Sequence, residues 1–233
     1  MTLENIISVD QQVLMWFNGS NSLFLDSIVP LLTSGLTWVP LYIGLLYLVV
    51  KNNESMSQIG LVVGSALLCV LLSGGIDDIV VKPLVGRLRP CNDPMLKWQL
   101  SLISGTIEQS YSFFSAHAAN TMSLAVFLSL LVRGRMFSVF IVSWSLINCW
   151  TRLYLGVHYP SDIIAGMAYG ALVGTIVYII YLKTYLRFNP KLNYVSSQYT
   201  STGYAKNDID VVISIIVITI AVLIIGALIN VWQ

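Results

Sequence analysis

Charge is scarce in this sequence: Lys, Arg, Asp and Glu make up 10% of its 233 residues, against 56% hydrophobic residues and a mean hydropathy of +0.78. A soluble surface ordinarily needs about a quarter charged residues, which excludes a freely soluble globular chain. Cysteine is equally sparse, with three residues. Cys69 and Cys149 fall inside apolar runs and Cys91 follows Pro90, a spacing that offers neither a disulfide framework nor a metal knuckle. Residues 1–22 contain no Lys or Arg, so they lack the basic n-region of a cleavable signal peptide and are expected to be retained. A net charge of +1, with no basic stripe to track phosphates, argues against a nucleic-acid partner. Histidine is the rarest functional side chain, with His117 and His158 the only two.

What is abundant is long apolar sequence. Runs at Leu23 to Val50, Ile59 to Ile76, Ala118 to Val132, Met136 to Trp150, Ile163 to Leu186 and Val211 to Trp232 each approach the ~20 residues a helix needs to cross ~30 Å of hydrocarbon. They are continuous rather than alternating, which excludes a transmembrane barrel. The expected fold is therefore an all-α membrane protein with six transmembrane helices. Residues 1–22 place apolar side chains at near-helical spacing against Asp10, Gln11 and Asn18. They form either a helix lying at the membrane interface, anchored by Trp16, or an amphipathic cap on the bundle. One domain spans 1–233: the N-terminal helix at 1–22, a five-helix core at 23–186, and a cytoplasmic loop with an additional C-terminal transmembrane helix at 187–233.

Two features of the runs bear on the path of the chain. Pro30 and Pro40, with Thr33, Ser34, Gly35 and Thr37 between them, predict a kink in the first span. The second is expected to end at Ile76-Asp77-Asp78, where carboxylates leave the hydrocarbon. Lys51, Arg133, Arg135, Lys183, Arg187, Lys191 and Lys206, seven of twelve basic residues, fall on one side of the predicted bundle. Lys82, Arg87, Arg89, Lys97 and Arg152 fall on the other. The positive-inside rule then puts the segments 82–117 and 152–162, and both termini, on the extracytoplasmic face.

Those two segments hold the chemistry. Lys82, Arg89 and Arg152 can surround a phosphate, with arginine forks matching its oxygens in pairs. Ser115, Ala116 and His117 stand where the third span begins, so backbone N–H groups at a helix N-terminus can face an anion. Asp162 lies four residues beyond His158, close enough to accept an imidazole N–H. Either histidine alone reads as readily as structural; both falling beside the cations on one face favours chemistry. Arg87 reads as a flexible interfacial charge, and Asp78 as a partner for Lys82. Asn120 either orients His117 or satisfies backbone. Gly166, Gly170 and Gly174, four residues apart, predict close helix packing, inside the bundle in preference to a dimer contact.

In order and spacing these residues resemble the type 2 phosphatidic acid phosphatases. Lys82-Pro-Leu-Val-Gly-Arg-Leu-Arg89-Pro90 matches the first motif of that family, Phe114-Ser115-Ala116-His117 the second, and Thr151-Arg152 through His158 to Asp162 the third. Phe114, Ala116 and Thr151 replace the usual Pro, Gly and Ser, while every ionisable position is kept. The resemblance implies a metal-independent lipid phosphatase without cofactor and with no obligate protein partner, acting on a membrane lipid phosphate or diphosphate in the bilayer. It implies that His158 attacks phosphorus to form a phosphohistidine, that Asp162 fixes its tautomer, and that His117 protonates the leaving oxygen. Lys82, Arg89, Arg152, Ser115 and the nearby amides, including that of Ala116, are expected to hold the phosphate. A lipid phosphotransferase with the same intermediate, and a non-catalytic lipid-phosphate transporter, are the alternatives. Undecaprenyl diphosphate, phosphatidylglycerol phosphate, phosphatidate and a lipid A phosphate all present the same reacting group.

Overall fold

The computed structural model describes residues 3–20, 22–103, 108–188 and 197–232. Lys191 and the part of the expected loop at 189–196 lie outside them. The regular elements are all helical: α1 (Leu3–Phe17), α2 (Leu23–Thr33), α3 (Val39–Lys51), α4 (Met56–Val70), α5 (Lys82–Val85), α6 (Ala116–Val132), α7 (Arg135–Tyr154), α8 (Pro160–Phe188) and α9 (Lys206–Trp232). Among the described residues the single β-type pairing is a bridge between Tyr199 and Ala205.

The chain is a multi-pass membrane protein. Met56–Val85, Arg135–Tyr154, Pro160–Arg187 and Lys206–Trp232 are long and apolar enough to cross a bilayer. The first expected span instead consists of α2 and Gly35–Lys51, bent by 69°. The bend follows the predicted cause. The helix breaks at Ser34, Trp38 Nε1 donates to the freed carbonyl of Leu32 at 2.8 Å, and Pro40 sits in the first turn of α3, where its missing N–H is harmless. With 17 residues, α6 is about 25 Å long, short of the hydrocarbon thickness.

The second span does not stop at Ile76. Two π-helical turns, Leu71–Gly75 and Asp77–Val81, carry it on to Val85. The carboxylate expected to force an exit is fully buried: Asp77 Oδ2 forms an ion pair with Lys82 Nζ at 3.2 Å and Oδ1 accepts the Phe114 N–H at 3.2 Å. A charge with those partners can stay inside. Gly86, at φ +61°, then ends α5 in the left-handed conformation that glycine adopts without strain.

The closest packing in the bundle is between α6 and α8. Gly166, Gly170 and Gly174 lie against the carbonyls of Ser115, Ala119 and Ser123, so near that an added Cβ would stand 2.7, 2.3 and 2.4 Å from them. The predicted stripe is thus an internal seam that sets Ser115, at the start of α6, beside the start of α8. At the opposite end, Ala205 N donates to Asn52 Oδ1 at 2.7 Å and Thr202 Oγ1 to the Val132 carbonyl at 2.9 Å. These contacts gather Lys51, Arg133, Arg135 and Lys206 far from the motif residues. α1 caps the motif end, with Leu14 fully buried among Leu96, Leu100, Leu153 and Tyr159 while Trp16 stays exposed.

Candidate active site

The three motif segments converge at one end of the bundle because backbone bonds tie their elements together. Ser115 N donates to the Asp162 carbonyl at 3.2 Å, joining the start of α6 to the first turn of α8. Arg89 Nη1 donates to the Val157 carbonyl at 3.1 Å, joining the segment after α5 to the turn between α7 and α8. Arg152 projects from the last turn of α7.

His158 is 1% exposed. Its Nε2 lies 2.9 Å from Arg89 Nη1, and because a guanidinium can only donate, Nε2 must accept. The ring proton of the neutral imidazole is therefore on Nδ1, facing Asp162. That separation, 3.6 Å to Oδ2, is longer than a hydrogen bond, and Nδ1 has no other partner. Burial, then the nearby Arg89 and Arg152, lower the His158 pKa to about 3 against the opposing pull of Asp162. The ring is neutral at physiological pH, with its Nε2 lone pair pointing into the cationic cluster.

Asp162 is held from three sides. Oδ2 accepts the Ser112 hydroxyl and the Tyr159 N–H at 3.0 Å, while Oδ1 takes Arg87 Nη1 at 2.7 Å. Arg87 is thus no flexible surface charge. Its other fork pairs with Asp10 Oδ2 at 2.6 Å, Nη1 also reaches Ser161 Oγ at 2.7 Å, and the guanidinium stacks 3.8 Å from the Tyr159 ring centre. Asp10, on α1, accepts the Ser161 N–H at 2.8 Å and so caps the start of α8 as well. The sequence signal was the alternation Arg87-Leu88-Arg89: on extended backbone, side chains two apart share a side, and Leu88, 50% exposed, takes the other.

Arg89 and Arg152 are 2% and 3% exposed and share one carboxylate, Glu108, which lies outside all three motifs. Its Oε2 is 2.6 Å from Arg89 Nη2, and its Oε1 meets Arg152 Nη2. Burial pushes the Glu108 carboxyl up, but Arg152 and Arg89 outweigh it and hold it down at about 2. A signal existed, since Glu108 is the only acidic residue between Asp93 and Asp162. Arg152 has a second partner in Thr33, whose hydroxyl accepts from Nη1 at 3.1 Å.

The remaining expected site residues sit around this pair. Lys82 is buried and engaged, with Nζ 2.6 Å from Asp78 and 3.2 Å from Asp77. The fully buried Ser115 is the N-cap of α6, its hydroxyl accepting the Ala118 N–H at 3.4 Å, and Ala116 is the first helical residue. His117 is close enough to Arg152, Glu108, Arg89 and Lys82 to feel their charges, as His158 is to Glu108. Asn120 turns toward Gly74 rather than His117, and its Oδ1 has no hydrogen-bond partner. His117 and Thr33 both line an apolar cavity of about 540 Å³ walled by α3, α4, α6 and α7. Among the described residues, no three His, Cys, Asp or Glu side chains group so as to hold a metal ion.

Against known families, residues 62–186 match the model described as the PAP2 superfamily, just over half of the chain. The chain belongs to the PAP2 superfamily. As a PAP2 protein it is a phosphoric ester hydrolase built on membrane helices. It is 38% identical over 179 residues to the lipid A 4'-phosphatase of Bacteroides thetaiotaomicron, covering 76% of this chain and 79% of that one. It is 31% identical over 180 residues to the lipid A 4'-phosphatase of Porphyromonas gingivalis, covering 77% and 76%. Its fold is similar to that of a transmembrane PAP2-type phosphatidylglycerolphosphate phosphatase from Bacillus subtilis, with a TM-score of 0.57 at 18% identity over 79% of this chain and 90% of the other.

Proposed function

We propose that this PAP2 phosphatase removes a phosphate monoester from an acylated glycolipid of the lipid A type, at the extracytoplasmic face of the inner membrane, through a phosphohistidine at His158. The observation that carries the reading is a neutral imidazole whose Nε2 meets the buried Arg89, which shares Glu108 with Arg152, while Arg152 reaches through Thr33 to an apolar cavity that His117 lines. A phosphate placed among Arg89, Arg152 and the first amides of α6 presents phosphorus to Nε2, while the cavity accommodates apolar chain. Lys82, anchored by two carboxylates, adds positive potential.

In the first half-reaction an N–P bond forms at Nε2 as the P–O ester bond breaks, and His117 gives its proton to the departing oxygen. Asp162 stabilises the positive charge that grows on the ring as Nδ1–H closes on Oδ2. In the second half, His117 takes a proton from water, the water oxygen bonds to phosphorus, and the N–P bond breaks. The arginines stabilise charge on the non-transferring oxygens in both halves, in a site largely closed to water.

Two relatives named lipid A 4'-phosphatase, aligned over three quarters of the chain, favour that headgroup among lipid phosphates. The test is phosphate release by the purified protein in detergent from lipid A phosphate, phosphatidylglycerol phosphate, phosphatidate and undecaprenyl diphosphate. The highest kcat/KM is expected on lipid A phosphate. A clear preference for another lipid overturns the substrate assignment. His158→Ala is expected to lower release at least about a thousandfold, and an unchanged rate overturns the site.

A further inference from the structure

All five N–H donors of Arg89 are spoken for. Nε donates to the Ser110 carbonyl at 2.8 Å, and Nη1 uses its two on the Val157 carbonyl and His158 Nε2. Nη2 uses its two on Ser110 Oγ at 2.9 Å and Glu108 Oε2 at 2.6 Å. Arg152 spends one N–H of Nη1 on Thr33 and one N–H of Nη2 on Glu108, leaving Nε and the second N–H of each terminal nitrogen open. Arg89 therefore has no open donor for a phosphate, and the Nη2 atoms of both arginines are bridged by one carboxylate, while Glu108 is in place.

The contacts differ in how readily they can be exchanged. Those of Nε to Ser110 and of Nη1 to Val157 run to backbone carbonyls, and the Ser110 stretch is fixed again where Ser112 N donates to the Arg87 carbonyl at 2.8 Å. Breaking them would dismantle the site. Glu108 is held differently: Asn92 Nδ2 fixes its main-chain carbonyl at 2.8 Å, while its side chain keeps 36% of its surface exposed. The carboxylate can swing out with its backbone anchored. It must also leave on electrostatic grounds, since a phosphate monoester dianion in contact with a Glu108 carboxylate would place three negative charges against two guanidinium groups.

We infer that Glu108 is an internal competitor for the phosphate seat, a carboxylate that neutralises and pre-orders Arg89 and Arg152 in the resting enzyme and is displaced by the substrate phosphoryl group. This rests on the proposed reading that the two arginines bind phosphate. A protein whose seat is occupied by its own side chain binds ligand more weakly, in proportion to the fraction of time the seat is empty. The same return of the carboxylate helps expel product phosphate at the end of the cycle. Glu108 is thus a positioning residue that trades phosphate affinity for turnover.

Calorimetric titration of the full-length protein in detergent with inorganic phosphate tests this. Glu108→Gln, which keeps size and removes charge, is expected to bind phosphate at least about tenfold more tightly than wild type. It is also expected to lower both KM for the lipid and the inhibition constant of phosphate. Glu108→Asp, too short to bridge both arginines, is expected to bind with intermediate affinity, and decides the matter if the glutamine variant does not fold. A Glu108 that merely braces the arginines would give the opposite sign, so phosphate binding unchanged or weakened in the folded variants overturns the proposal. Arg152→Ala separates the two levels. If it leaves phosphate binding intact, the arginine seat itself is wrong; if it weakens binding while Glu108→Gln does not tighten it, only the role of Glu108 is wrong.

Discussion

At the scale of single residues, the site is a set of charges that specify one another's positions. Arg87 shows this most plainly, since it holds Asp162 from behind while Asp10 and Ser161 hold Arg87. Replacing it with Ala would leave two buried carboxylates without their cation and let Asp162 drift from His158. We expect Arg87→Ala to lower kcat roughly ten- to a hundredfold with KM little changed, as loss of an orienting partner behind a reactive imidazole does elsewhere; a rise in KM alone would contradict this. The pH behaviour of His158 is a second expectation. Its folded pKa of about 3 lies below the ordinary 6.5, so as pH falls the unfolded chain takes up the proton first. The folded state therefore loses stability through that window, while the ring itself stays neutral. Nitrogen-15 NMR of protein labelled at its two histidines, with His117→Gln to assign them, should show the His158 ring in the Nδ1–H form without titration between about pH 5 and pH 8. A midpoint near 6.5 would contradict it.

At the scale of elements, what could be read from the sequence was what depends on spacing along the chain. Gly166, Gly170 and Gly174 marked a seam because a four-residue repeat lies on one helix face, and Pro30 with Pro40 bracketed the bend, which falls at Ser34 between Pro30 inside α2 and Pro40 in the first turn of α3. What could not be read depends on partners distant in sequence. The second span runs past Asp77 because Lys82 pairs with it and the Phe114 amide donates to it, and Glu108 belongs to the site because Arg89 and Arg152 reach it from two different segments. Likewise, Asp10 gave no hint that it would meet Arg87 across most of the first two spans. The seam itself is testable. Gly170→Ala would drive a Cβ to 2.3 Å from the Ala119 carbonyl, a rigid neighbour. The helices must part, at about 1–3 kcal/mol, which should appear as a lower Tm together with reduced activity. Gly60→Ala, where nothing lies within 4 Å, is the control expected to leave both unchanged.

At the scale of the whole molecule, the segregation of basic residues is the feature that orients the account. Lys51, Arg133, Arg135 and Lys206 gather at the end away from the site, and the site's own cations are nearly all matched by carboxylates. With the three native cysteines buried, single cysteines at Trp98 and Lys51 can report on the two ends. A membrane-impermeant maleimide applied to spheroplasts should label Trp98→Cys and spare Lys51→Cys; the reverse pattern would place the site in the cytoplasm. The central claim, that His158 Nε2 bonds to phosphorus between two buried arginines, has a more direct test. Alkaline quench during turnover, followed by mass spectrometry, should find a phosphoryl group on the peptide carrying His158. It should be absent from His158→Ala and retained longer when His117 is replaced by Gln. Turnover at full rate with no phosphoryl group on His158 would contradict the account.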